Sequence, residues 1–83
     1  MIATLTPNAC ISWWLMASYV YYDLGRNLMS DQQFDALTLR IKDEWDFIDH
    51  PHKHLIKDTN LEAGSGFDIK YPSITKYSAA ELL

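Results

Sequence analysis

Apolar residues recur at helical spacing in two stretches of the first fifty residues. In the first stretch, Thr6-Pro7 is typical of a helix start, because threonine caps free N–H groups and proline is tolerated at the first helical position. Gly25 is suited to end that helix in a left-handed conformation. Apolar side chains surround nearly the whole stretch, which is typical of a helix that is central or covered by a partner. We predict a first helix over about 7–24.

The second stretch begins with a nearly complete set of helix-start signals. Ser30 and Gln33 form a capping-box pattern, and Asp31 in the first turn is favourable for the helix dipole. Apolar residues then recur every three to four positions, at Phe34, Leu37, Ile41, Trp45 and Ile48. Because Pro51 disfavours helical geometry at His50, we predict a second helix over about 31–49. The short connector predicts that the two helices are antiparallel neighbours.

The signals are weaker after residue 51. They predict a helical turn over 58–63, a turn at 64–66 and, from the alternation of Phe67, Ile69 and Tyr71, a short extended stretch. Ser78 and Glu81 form a second capping-box pattern, which predicts a short terminal helix. The predicted fold is mainly α, an antiparallel helical hairpin followed by an irregular C-terminal segment. We expect one small domain, with the hairpin in residues 1–51 and a loop-rich extension in residues 52–83.

Composition narrows the classes of function. A chain of 83 residues has little room for a buried catalytic cleft. The net charge of −4 argues against a phosphate-backbone binder, so no direct nucleic-acid binding is expected. The single cysteine, Cys10, is expected to be a buried small apolar residue. Residues 1–22 are uncharged, but polar residues interrupt them and no positive segment precedes them, so we expect a cytoplasmic protein without membrane insertion.

One segment carries a resemblance to a known family. Residues 21–37 read YYDLGRNLMSDQQFDAL, and the amphipathic stretch that follows ends near His50-Pro51. This resembles the N-terminal Ia hairpin of bacterial NAD-dependent DNA ligases. In that family a paired aromatic or Tyr-His, a loop and Ser/Pro-Asp-x-x-Tyr-Asp-x-Leu precede a helix ending near His-Pro. The likeness covers the first 51 residues and is closest over 21–37.

In those ligases the subdomain clamps the nicotinamide mononucleotide (NMN) half of NAD. The resemblance therefore implies binding of NMN or NAD at five positions, which are Tyr21, Tyr22, Asp31, Phe34 and Asp35. Aromatic faces and carboxylates suit a cationic pyridinium ring. The chain departs from the family at Phe34, where the ligases have Tyr, and at Gly25, where they have a loop Asp. Alternatively, the three rings are the aromatic core of the hairpin and Asp31 is a first-turn helix residue.

The resemblance does not extend to catalysis. No lysine lies in a Lys-x-Asp-Gly adenylation motif, so we expect no enzyme activity. The chain is similar to small ligase-related proteins, often from bacteriophages, in which this hairpin precedes a His-Pro-His-Lys-His segment. The expected function is a non-catalytic module that binds a nicotinamide nucleotide. The alternative is a phage-type interaction or regulatory factor that binds a host protein, DNA-processing machinery or a second copy, through Trp13, Met16 and Val20 of the first helix.

The histidines at 50, 52 and 54 leave three interpretations open. In an extended chain, His50, His52 and His54 project to one side and could converge on a metal, although structural zinc sites usually use cysteine. They could instead form a solvated loop that caps the carbonyls of the second helix. The third interpretation is an anion site, in which Lys53 and protonated histidines hold the phosphate of a nucleotide whose base lies on Tyr21 or Tyr22.

Overall fold

The structure is a computed structural model that describes residues 5–56 and 69–83. These residues form three α-helices, α1 (Pro7–Leu24), α2 (Asp31–Asp43) and α3 (Ser73–Leu82), with 3₁₀ turns at Trp45–Phe47 and Lys53–Leu55. The mainly α fold is confirmed, and the arrangement of α1 and α2 agrees with the predicted hairpin. In the described part of the chain, no helix has the length and apolarity required to cross a membrane.

Local caps fix both ends of α1. The Thr6 side chain accepts a hydrogen bond from the Ala9 N–H at 3.2 Å, and Pro7 occupies the first turn. Gly25 has a φ of 64°, a conformation that costs a glycine little but strains other residues. The Arg26 N–H then donates to the Val20 carbonyl at 3.1 Å. The helix therefore has the predicted bounds.

A complete capping box begins α2. The Ser30 hydroxyl accepts from the Gln33 N–H at 3.1 Å, and the Gln33 side-chain oxygen accepts from the Ser30 N–H at 2.9 Å. These two bonds satisfy donors that would otherwise lack partners at the first turn. The N-terminal prediction for α2 is therefore confirmed.

The predicted C-terminal end of α2, at residue 49, is wrong. The α-helix ends at Asp43, and the chain continues through the 3₁₀ turn Trp45–Phe47 to Ile48, which is extended with φ −86° and ψ 127°. The Lys53 ammonium donates to the carbonyls of Trp45 at 2.6 Å and Ile48 at 3.2 Å, so it stabilises the non-helical path of the chain after α2. Ile48 still faces the core and is 4% exposed, as its periodicity indicates.

Trp14 lies at the centre of the hairpin, fully buried between α1 and α2. Its indole N–H donates to the Thr38 hydroxyl at 2.9 Å, and that hydroxyl donates to the Phe34 carbonyl at 2.9 Å. The core around it consists of Cys10, Ile11, Leu15, Leu37, Ile41, Ile48 and Ile56. The buried Cys10 agrees with the sequence prediction.

The N-terminal turns of α1 hold the chain that follows α2. Asn8 forms a pair of hydrogen bonds with the backbone of Asp49, both 2.9 Å long. Ser12, one turn later, contacts the His50 ring at 3.0 Å. Since residue 8 meets residue 49 while residue 14 meets residue 38, α1 and α2 run in opposite directions.

The third helix covers the second face of α1. Ala79 of α3 packs against Met16 and Val20, and Thr75 one turn earlier is also buried. The expectations of a loop-rich segment over 52–83 and of a terminal helix starting at Ser78 are therefore wrong for residues 73–82. The helix begins at Ser73 and buries Thr75 and Ala79, which share one face at i, i+4 spacing, whereas the Ser78–Glu81 pattern lies inside it.

The predicted extended stretch is not found. Phe67 lies outside the described residues, and Ile69–Tyr71 forms no strand in the part that is described. Ile69 and Tyr71 instead pack on the core, and the Tyr71 ring meets Tyr19 edge-on at 5.6 Å. The helical turn predicted over 58–63 and the turn at 64–66 also lie outside the described residues.

The bond between Trp14 and Thr38 gives a test of the hairpin. Thr38→Val keeps the shape but leaves the buried indole N–H without its acceptor, so we expect a loss of about 1–3 kcal/mol in the free energy of unfolding. Thr38→Ser keeps the hydroxyl and is expected to lose less. Urea denaturation followed by circular dichroism measures both variants. A Thr38→Val variant as stable as the native chain would contradict this role.

Candidate functional site

A cleft of about 310 Å³ opens between the last turns of α1 and the first turns of α2. All five positions that the resemblance implies line it: Tyr21, Tyr22, Asp31, Phe34 and Asp35. The other lining residues are Ala17, Ser18, Asn27, Leu28 and Met29. The connector between the helices therefore closes one side of the cleft.

Helical spacing brings three α1 side chains to the cleft. Ser18, Tyr21 and Tyr22 stand at i, i+3 and i+4, so they share one face of the helix. The two tyrosine rings meet edge to face with centroids 4.9 Å apart. Tyr21 is 54% exposed and Tyr22 is 39% exposed, so neither ring belongs to the hairpin core. The alternative that all three rings form the aromatic core of the hairpin is therefore wrong for Tyr21 and Tyr22.

The α2 wall repeats this arrangement. Asp31, Phe34 and Asp35 also stand at i, i+3 and i+4. The Phe34 ring is half-buried and stacks on Trp14, with centroids 5.3 Å apart and planes 30° apart, so Phe34 is both a core residue and a cleft residue. The two aspartates are exposed. No Lys, Arg or His is among the described lining residues, so the charged side chains that line the cleft are both acidic.

Ser18 is a cleft residue that sequence reasoning missed. It is 1% exposed, and its hydroxyl oxygen has no hydrogen-bond partner within residues 5–56 and 69–83. The sequence places Ser18 on the same helix face as the two tyrosines, but the apolar neighbours on that face indicated a core position. The sequence signal for this position is a serine hydroxyl one helical turn before Tyr21 and Tyr22.

Within the part of the chain that the structure describes, the three histidines do not converge. The His50 and His52 rings lie 5.4 Å apart and tilted, whereas His54 is exposed. Among the residues that the structure describes, no three side chains of His, Cys, Asp or Glu are grouped to hold a metal ion. The convergence of His50, His52 and His54 that an extended chain would allow is therefore absent, because a 3₁₀ turn occupies Lys53–Leu55.

The contact between Ser12 and His50 is not a nucleophile–base pair. The His52 backbone N–H donates to Nδ1 of His50 at 3.0 Å, so the neutral ring carries its proton on Nε2. Nε2 lies 3.0 Å from the Ser12 hydroxyl oxygen and therefore donates to it. A ring nitrogen that already bears the proton cannot accept one from Ser12. Burial, and then the nearby charge of His52, lower the pKa of His50, which favours this neutral form.

The two other interpretations of the histidine segment, a cap on the second helix and an anion site, are not supported either. The carbonyls after α2 are capped by Lys53 rather than by histidines, and the Lys53 ammonium lies 4.6 Å from the centre of the Trp45 ring. Lys53 is therefore engaged within the chain. Ser12, which holds His50, precedes Tyr21 by nine residues, or about 14 Å along the helix axis. The histidine segment and the tyrosines therefore lie at opposite ends of the hairpin, and they do not form one phosphate and base site.

The partner surface expected on α1 is largely covered. Met16 is 7% exposed and Val20 is fully buried, because both pack against Ala79 of α3, and Trp13 is partly buried beside them. The expectation that Trp13, Met16 and Val20 form an exposed patch for a host protein or a second copy is therefore wrong for Met16 and Val20. The apolar circumference of α1 is explained by two internal contacts, one with α2 and one with α3.

Comparison of the chain with protein-family models, with curated proteins and with solved structures finds no match. The resemblance to the ligase hairpin therefore stays a prediction.

The neutral form of the half-buried His50 predicts a dependence of stability on pH. Its pKa in the folded chain lies below the ordinary value of 6.5, so between these two values the unfolded chain binds more protons. The stabilisation is complete above about pH 6.5 and is lost as the pH falls toward the folded pKa. We expect the native chain to lose more stability between pH 8 and pH 5 than a His50→Gln variant, measured by urea denaturation.

His54→Gln is the matched control, because His54 is exposed. This variant is expected to keep the native pH dependence. Equal pH dependence in the native chain and in His50→Gln would show that folding does not favour the neutral form of His50.

Proposed function

We propose that this chain is a non-catalytic module that binds nicotinamide mononucleotide in the cleft between α1 and α2. The observation that carries the proposal is that Tyr21, Tyr22, Asp31, Phe34 and Asp35 line one open cleft. The resemblance in sequence implies the same five positions. If the three rings served only as core and Asp31 only as a first-turn helix residue, the five positions would not need to line the same cleft.

The size of the cleft favours a mononucleotide. Its volume of about 310 Å³ is at the lower end of the range for small-molecule sites, which runs from about 300 to 1,000 Å³. A ligand that fills this volume is one nucleotide or smaller. We therefore propose the mononucleotide as the ligand rather than the whole NAD molecule.

The charge of the cleft favours a cationic ring. Pyridinium rings are attracted to aromatic faces, which the tyrosines supply, and to carboxylates, which Asp31 and Asp35 supply. Since no cationic residue is among the described lining residues, the phosphate is expected to remain in solvent. This charge distribution suits NMN better than an anionic or neutral base.

Two departures from the ligase pattern are expected to reduce affinity. Phe34 presents no hydroxyl at the cleft, so one hydrogen bond to ligand is missing. Gly25 stands where the ligases have a loop Asp, and here it caps α1 with a positive φ. The binding energy then comes from the tyrosine rings and the two remaining carboxylates.

Isothermal titration calorimetry with NMN tests the proposal. Tyr22→Ala removes an aromatic face and Asp35→Ala removes a carboxylate, and each is expected to weaken binding by roughly tenfold. Tyr77→Ala and Asp46→Ala are the matched controls, because both residues are exposed and neither lines the cleft. The controls are expected to bind as the native chain does.

The absence of heat at millimolar NMN, together with unchanged fluorescence of the aromatic residues, would remove the proposal. Equal weakening by the Tyr22 and Tyr77 variants would also contradict it, because binding would then not depend on the cleft.

A further inference from the structure

Ser18 is the one buried polar side chain among the described residues whose hydroxyl lacks a partner. A serine in a helix commonly donates to the carbonyl four residues earlier, or it points to solvent. Ser18 does neither, since it is 1% exposed and unbonded. Burying an unsatisfied hydroxyl costs stability, so such a group needs an explanation.

Ser18 forms part of the wall of the cleft. Ser18 lines the cavity beside Ala17 on the same helix and Leu28 and Met29 of the connector. It is also one turn from Tyr21 and Tyr22, the rings proposed to contact the ligand. A ligand group that enters the cleft past the tyrosines therefore reaches the part of the wall that Ser18 forms with these apolar neighbours.

The apolar residues around Ser18 favour an uncharged ligand group over a charged one. A carboxylate would lose its hydration beside Ala17, Leu28 and Met29, and no cation among the described lining residues would compensate. Asp31 and Asp35, which line the same cleft, would also repel it. A carboxamide carries no charge, and it both donates and accepts hydrogen bonds, as the hydroxyl does.

We infer that Ser18 is a specificity-determining residue that hydrogen-bonds the neutral carboxamide of the ligand and so selects the amide over the corresponding carboxylic acid. This inference rests on the proposed function, because it concerns the same cleft and the same ligand class. It adds the ligand group that is recognised and the residue that recognises it.

Calorimetric titration with NMN and with nicotinic acid mononucleotide, at pH 7, tests the inference. These two ligands differ only in the carboxamide and the carboxylate. We expect the native chain to bind NMN at least roughly tenfold more tightly than the acid. Ser18→Ala is expected to weaken NMN binding by up to about tenfold, the effect of one hydrogen bond, while binding of the acid changes less.

Two further variants separate recognition from folding. Ser18→Cys keeps the size of the side chain but has only a weak donor, so it is expected to lose the same preference as Ser18→Ala. Ser78→Ala is the control, because Ser78 is an exposed serine on α3 outside the cleft. Thermal denaturation is expected to show that Ser18→Ala is at least as stable as the native chain, since it removes an unsatisfied buried group.

Four other results of these titrations and of the denaturation experiment would overturn the inference, the proposed function or both. If the native chain binds NMN and Ser18→Ala binds it equally, the inference is overturned while the proposed function stands. If the native chain binds the amide and the acid equally, the selectivity is overturned. A loss of stability in Ser18→Ala would assign Ser18 a structural role and overturn the inference. If neither nucleotide binds the native chain, both the inference and the proposed function fail.

Discussion

The hydrogen bond from the Trp14 indole to the Thr38 hydroxyl ties the two helices of the hairpin together in a fully buried position. Since a buried indole N–H without an acceptor is costly, this bond restricts how α1 can slide along α2. The same unit positions the cleft, because Thr38 also bonds the Phe34 carbonyl and the Phe34 ring stacks on Trp14. The position of the α2 wall against the α1 wall therefore depends on the packing around one tryptophan.

The two ends of the hairpin differ in how their polar groups are satisfied. At one end, Asn8 and Ser12 bind the chain that follows α2, and Lys53 caps two of its carbonyls. At the other end, two tyrosine rings are exposed and the Ser18 hydroxyl has no partner in the described part of the chain. Polar groups that are satisfied within the chain serve its stability. The exposed rings and the unbonded hydroxyl therefore lie at the end of the hairpin where we propose the ligand site.

The parts of the fold that sequence reasoning predicted are those that neighbouring residues determine. Thr6, Gly25 and the Ser30–Gln33 box act on residues close to them in sequence, so they fix three helix ends from local chemistry alone. The end of α2 and the start of α3 depend on contacts between distant residues, such as Lys53 with Trp45 or Ala79 with Val20, which periodicity does not contain. The five cleft positions came from a resemblance, whereas Ser18 was missed because spacing alone does not distinguish a cleft wall from a core.

We propose that the cleft between α1 and α2 binds NMN, and mapping of NMR chemical shifts on the isotopically labelled chain would locate this binding residue by residue. On titration with NMN, we predict that the perturbed amides lie around Ser18, Tyr21, Tyr22 and residues 31–35, with no comparable change in residues 49–53. The claim would be contradicted if no amide shifted at millimolar NMN, or if the shifts centred on the histidine segment at the opposite end of the hairpin.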